Sequence, residues 1–328
     1  MLSPLILTPS ADLLDKHPLL SGQAKELSQA YAEKKVVTDN QLKPIGSALW
    51  SSLGDGVELQ QAKHQAGQSI LPIVIESDNP AILELPWEML WHPEYGFLAL
   101  HKEFTLSRSS PAITVNMPDI ETGPLRILLF SSLPDDLDET DQLQIEEEQA
   151  GVLEALSPWL QSGHVAIEMP DDGRFSLFEE LLHSFRPHLV WISGHGVFRK
   201  DLINHNHKGY FLFEDEESGN GSLIDENTLA GAFSGTAVQG VILSACQSGK
   251  AISSDLNNGL MYALAQKGIP HVIGMRESIF DRAGVQFAKT FFSGLLQKRE
   301  IAEALQQARL AFKMPMREDE QANRYRYA

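Results

Sequence analysis

The side chains best suited to nucleophilic chemistry in this chain are His195 and Cys246, and each closes an apolar run: HLVWISGHG over 188–196 and VQGVILSACQSG over 238–249. Cys246 is the only cysteine. A free thiol has a reference pKa near 8.5, so only about 3% is thiolate at pH 7 and the group needs a base before it attacks anything. An imidazole is such a base, taking the thiol proton and later returning it to a leaving amine. Taken alone, Cys246 reads as an inert buried small hydrophobe, and His195 as a histidine satisfied by local hydrogen bonds. Taken together, on two runs of the same kind, they read as a nucleophile and its base.

Both runs have the length and β-branched content of buried strands, and both end in small residues that let the backbone turn. In an open parallel sheet, reactive groups gather outside the carboxyl ends of the strands. Two neighbouring parallel strands lie about 4.8 Å apart, so a thiol and an imidazole at their ends are within reach of each other. The surrounding pattern supports such a sheet. From Pro124 onward, strand and helix alternate as in an α/β protein: LRILLFSS (125–132), a helix bearing Ile145, Val152, Leu156 and Leu160, HVAIEMP (164–170), the helix SLFEELLHSF, the strand ending at His195, the strand ending at Cys246, and PHVIGM (270–275). A helix around 256–267 stops at Gly268, and two more follow at 281–296 and 300–312.

Residues 1–122 differ, with an amphipathic stretch near 23–33, a strand candidate SILPIVIES (69–77) and the aromatic segment LPWEMLWHPEYGFLAL (85–100). The run ETGP (121–124) is the expected boundary between this accessory region and a second domain at 123–328. Residues 197–237 form a long insertion with the strand candidate GYFLF, placed to shape a groove beside the reactive pair. No Gly-rich phosphate loop or internal repeat is present. The polar close MPMREDEQANRYRYA, without a helix stop, suggests part of a longer polypeptide.

The 328 residues are 43% hydrophobic, enough for a full core, and carry a formal charge of −18. That balance disfavours direct nucleic-acid binding through a broad basic face and suits a basic peptide or partner better. One cysteine excludes an internal disulfide and fits a reducing, cytoplasmic setting. No apolar run reaches the ~18 residues of a membrane span, so no membrane insertion is expected, and the N-terminus lacks the basic start of a signal peptide. His205 and His207 form an H-x-H pair, but no cluster of ligand spacing accompanies them. No metal or other cofactor is expected.

SGHG around His195 and SACQSG around Cys246, about 50 residues apart, resemble the histidine and cysteine motifs of caspase-like peptidases. With LPWEML (85–90), GFLAL (96–100), LRILLFSS, WISGHG, LSACQSG and GIPHVIGMRESIFDRAG followed by FFSGLL, the chain resembles the CHAT domain, a bacterial relative of caspases and separases, from about residue 46 to 313. The resemblance implies a caspase-like, mostly parallel α/β sheet flanked by helices, cysteine endopeptidase activity on a protein substrate, and control by a sensor domain or partner protein, in some cases within bacterial defence. It also implies that the backbone N–H groups of Gly196 and Cys246 form the oxyanion hole, and it points to acidic residues after the fifth strand, Glu277 and Asp281, as candidates for the substrate pocket. The simpler reading of Asp281 is a helix N-cap, and Asp255 has the same ambiguity ahead of Leu256. Trp87 beside Leu and Met reads as core. The rival expectation is a catalytically silent caspase-like module that uses the same groove for protein interaction. A thiol acyl transferase would need an acyl-donor site that the sequence does not display.

Overall fold

The computed structural model describes residues 3–33, 35, 37–54, 57–115, 122–137, 145–200, 207–246, 253–274, 281–297 and 299–311. They fall into two compact units, Met1–Ile113 with Gln286–Ala328, and Thr114–Val285. The first holds β1 (Leu5–Leu7), α1 (Leu13–Lys16), α2 (Leu19–Ala32), α3 (Asp39–Ser51), α4 (Val57–Ala66), β2 (Leu71–Glu76), α5 (Pro80–Leu83), β3 (Trp91–His92), β4 (Gly96–Phe97) and β5 (Phe104–Ser109). β1, β2 and β5 make a parallel sheet in which Ile73 and Ile75 are fully buried, as alternation along LPIVIE requires. The aromatic segment folds into two single 3-10 turns around the short β3–β4 ladder. Trp87 is wholly buried there and its indole N–H donates to the Ile82 carbonyl at 2.7 Å, which bears out its reading as core.

The second unit runs β6 (Leu125–Ser131), α6 (Ile145–Gln161), β7 (Val165–Glu168), α7 (Phe175–Ser184), β8 (Leu189–Lys200), β9 (His207–Glu214), β10 (Gly221–Asp225), α8 (Glu226–Ala232), β11 (Gly240–Cys246), α9 (Ser253–Gln266) and β12 (His271–Gly274). The last two helices are α10 (Asp281–Leu296) and α11 (Ile301–Ala311). The seven strands β6–β12 form one mixed sheet flanked by helices. β6, β7, β8, β11 and β12 are mutually parallel, whereas β9 and β10 are antiparallel additions. Its core lies on one face, where Leu128, Phe130, Val190, Ile192, Phe211, Phe213, Val241 and Leu243 meet Phe178 and Leu182 of α7 and Leu229 of α8. α9 ends, as expected, just before Gly268, whose φ of +84° is a left-handed conformation that glycine adopts without strain.

One expectation needs correction. β8 does not stop at His195 but continues to Lys200, because the antiparallel strand β9 takes over its backbone from His195 onward. Within the insertion at 197–237 the strand candidate GYFLF is borne out as part of β9, in a β9–β10 hairpin followed by α8, which Asp225 caps by accepting from the N–H groups of Asn227 and Thr228 at 2.9 and 3.1 Å. The closing stretch from residue 312 lies outside the described residues.

Candidate active site

β8 is the only described strand paired to three others, and its register relates the candidate residues His195 and Cys246. β6 covers one edge as far as Ser193, β11 covers the other as far as His195, and β9 follows β6 on the first edge. Across β8 and β11 the Cα partners are Trp191 with Ile242, Ser193 with Ser244, and His195 with Cys246. Strand alternation puts these positions on the face opposite the main core. On that face an apolar row at 129, 191 and 242 is followed by a serine row at 131, 193 and 244, and then by a row of Leu212, His195 and Cys246. Successive rows are separated by about 6.6 Å along the strands, and neighbours within a parallel row by about 4.8 Å. The expectation that the His195 and Cys246 strands are parallel neighbours holds. The side chain of Cys246 lies outside the described residues; its backbone closes β11.

Several local features hold this arrangement. His195 is 2% exposed, Ser193 2% and Ser244 6%, so the row beneath the reactive pair is interior. The indole N–H of Trp191 donates to Ser193 Oγ at 3.0 Å, and Gln149 Nε2 of α6 donates to Ser131 Oγ at 2.9 Å. Gly194 is required: a Cβ there would come within 2.6 Å of the Phe211 ring and 3.2 Å of the Ser132 carbonyl oxygen. The first glycine-like step of SGHG thus serves close packing of β9 against β8 rather than a turn. Ser132, after β6, donates its backbone N–H to the Ser193 carbonyl at 3.1 Å and is fully buried.

Around the carboxyl end of β6, carboxylates of the hairpin and of the neighbouring loops fasten the two together. Glu214 accepts from the backbone N–H groups of Leu133 at 3.1 Å and Gly173 at 2.9 Å, and Asp136 accepts from Gly221 N at 2.7 Å. The Arg174 guanidinium beside Asp172 holds that carboxyl below its usual range and pairs with Glu216 at 3.0 Å as well. Much of the acidic character near the site is thus committed to holding loops.

Gly196 sits in the β8–β9 ladder opposite Phe211. Asp255 is the third residue of α9 and Asp281 the first of α10, with both side chains outside the described residues. Glu277 lies outside them altogether, as do His205 and residues 247–252; from Ser253 onward the chain is the start of α9. Among the described residues, no three metal-ligating side chains come together. The serine row was not anticipated, although its signal is present: WISGH and ILSAC each carry a serine two positions before the reactive residue.

The CHAT domain profile matches residues 43–327, most of the chain. A search of curated proteins finds no match. No described helix is long and apolar enough to cross a membrane.

Proposed function

Since the chain belongs to the CHAT family, we propose that it is a caspase-like cysteine endopeptidase acting on a protein substrate. The observation that supports this is the register of Cys246 with His195 across two parallel strands, one row beyond a buried polar row. His195 takes the proton from Cys246 Sγ, and the thiolate attacks the scissile carbonyl carbon. Donors aimed at the developing oxyanion stabilise the tetrahedral intermediate, the backbone N–H groups of Gly196 and Cys246 being the candidates. Collapse breaks the C–N bond while His195 gives its proton to the leaving amine. Water, deprotonated by His195, then hydrolyses the thioester and restores the thiol. Asp281, Glu277 and Asp255 remain candidates for the substrate pocket. A sensor domain or partner protein, in a bacterial defence or regulatory setting, would bring the site to its working state by binding that state better.

The second reading is a catalytically silent interaction module. Family and α/β architecture fit it without further requirement, and the near-complete burial of His195 favours it for the chain by itself. The two are separated by incubating the chain, with and without candidate partners, with peptide acyloxymethylketones and protein substrates. Cleavage lost by at least about a thousandfold in both Cys246→Ala and His195→Ala, with the fold intact, is the peptidase result, because nucleophile and base act as one unit. Cleavage at the wild-type rate by Cys246→Ala would end the peptidase reading.

A further inference from the structure

The strand β10 stands at an end of its sheet, paired with β9 and with no other described strand. Strand alternation decides which of its backbone groups face β9. In the hairpin turn, Asp215 donates its N–H to the Asn220 carbonyl at 2.7 Å, and from that pair onward the groups of Ser222 and Ile224 face those of Phe213 and Phe211. The groups of Gly221, Leu223 and Asp225 therefore point outward. Asp136 accepts the Gly221 N–H at 2.7 Å from that outer side, and no described strand is paired to Leu223 there.

Leu223 also belongs to the row of the candidate pair. Its register partner is Leu212, whose partner on β8 is His195, whose partner on β11 is Cys246. β7 and β12 have a single described partner too, but their ladders end before that row, at Glu168 opposite Leu128 and at Gly274 opposite Leu243. Charge points to what would fit the β10 edge. Exposed Asp135, whose backbone N–H donates to the Gly219 carbonyl at 3.0 Å, lies at its start, and exposed Glu217 lies in the adjoining turn. Neither has an ion pair among the described residues, whereas Arg174 nearby is already paired with Asp172 and Glu216. Arg199, Lys200 and Lys208 stand on β8 and β9 beyond the other end of β10, past Tyr210 opposite Asp225.

We propose that the outer edge of β10 takes an extended, lysine- or arginine-bearing segment of a protein as an added strand, with main-chain hydrogen bonds at Leu223 giving the pairing and the carboxylates of Asp135 and Glu217 selecting the charge. That this protein is the substrate rests on the peptidase reading. Four strand spacings of about 4.8 Å, roughly 19 Å, separate the added segment from β11. The segment is thus an anchor, and the cut falls about six or more extended residues away from it along the substrate.

The net charge of −18 attracts basic chains over the whole surface, so the test separates strand pairing from charge. Fluorescence anisotropy on the full chain reads binding without cleavage. The probe is a labelled peptide of about ten residues alternating lysine with threonine or valine, long enough to span β10. It is compared with its glutamate counterpart and with a lysine peptide N-methylated along its central residues, which keeps the charge and loses the main-chain donors. The lysine peptide is expected to bind saturably and the glutamate peptide not at all, while N-methylation weakens binding by about tenfold, as loss of two main-chain hydrogen bonds implies. Leu223→Pro removes the outward N–H at an edge position where proline is tolerated, and is expected to weaken binding about fivefold. The charge reversal Asp135→Lys with Glu217→Lys weakens it as well, by more at low salt than at high salt. Far-UV circular dichroism checks the fold of each variant; if Leu223→Pro does not fold, the charge reversal and the N-methylated peptide carry the test. Equal affinity for the lysine peptide and its N-methylated form, or wild-type affinity in folded Leu223→Pro or in the charge reversal, overturns the docking edge. Selective binding by a chain that cuts no protein upholds the edge and removes only its role in anchoring a substrate.

Discussion

In the first unit, Glu88, Arg108 and Arg309 bring three full charges beneath the surface; in the second, the positions below His195 and Cys246 carry neutral hydroxyls. Glu88 of the LPWE segment pairs with Arg108 of β5 and, at 3.8 Å, with Arg309 of α11, and their side chains are only 13 to 19% exposed. Arg309 also donates to the Leu106 carbonyl at 3.1 Å, and Gln306 on the same helix donates to the carbonyls of Ala99 and His101 at 2.9 and 3.0 Å. Burial pushes the Arg309 guanidinium down, and Glu88 opposes that shift. These charges tie three distant pieces of chain together. The serine row holds no charge of its own and lies one row before the two groups proposed to exchange a proton. Paired charge fastens the first unit; in the row before the candidate pair of the second stand only the neutral hydroxyls of Ser131, Ser193 and Ser244.

The comparison is broken most severely through Glu88. Glu88→Ala leaves two buried guanidiniums without their shared carboxylate and is expected to cost about 3–5 kcal/mol in urea unfolding, the penalty for removing one partner of a buried ion pair. If that variant still folds, the alkylation midpoint of Cys246 should stay at the wild-type value. A shift of that midpoint would show that the charged cluster tunes the reactive pair and would dissolve the contrast.

A smaller effect sharpens it. His92 in the first unit is 6% exposed, and its Nδ1 accepts the backbone N–H groups of Glu94 and Tyr95 at 3.1 and 3.3 Å, so the ring is held neutral and burial lowers its pKa from the usual value. A depressed folded-state pKa means that stability is fully present above the unfolded value near 6.5 and is lost as pH falls below it, because the unfolded chain binds the proton first. The urea midpoint of wild type should therefore fall between pH 7 and pH 5, and His92→Gln should flatten that slope. An unchanged slope in the variant would mean that another group carries the acid sensitivity.

Most of the second unit was legible in the sequence because its strands are short apolar runs bounded by turn residues, and its helices carry apolar residues at helical spacing. β6, β7, β11 and β12 fall within a few residues of their expected bounds. β8 was misjudged at its far end because Gly194 and Gly196 resemble a turn; what Gly194 answers to is the Phe211 ring of a strand that follows it in sequence. The candidate pair was picked out by residue types at two matching run ends, and the parallel register of those two strands is what the structure adds. The serine row beneath it needed the register of three strands, which no local pattern supplies. The Glu88–Arg309 pair spans 221 positions (309 − 88), beyond any local pattern.

The central claim is that Cys246 is a nucleophile activated by His195, and the most direct measurement is the pH profile of Cys246 alkylation in wild type against His195→Ala. The account predicts a wild-type profile with its midpoint well below the free-thiol value, returning to about 8.5 in His195→Ala. Superimposable profiles, both centred near about 8.5, would contradict it and leave the chain as a module that binds without cutting.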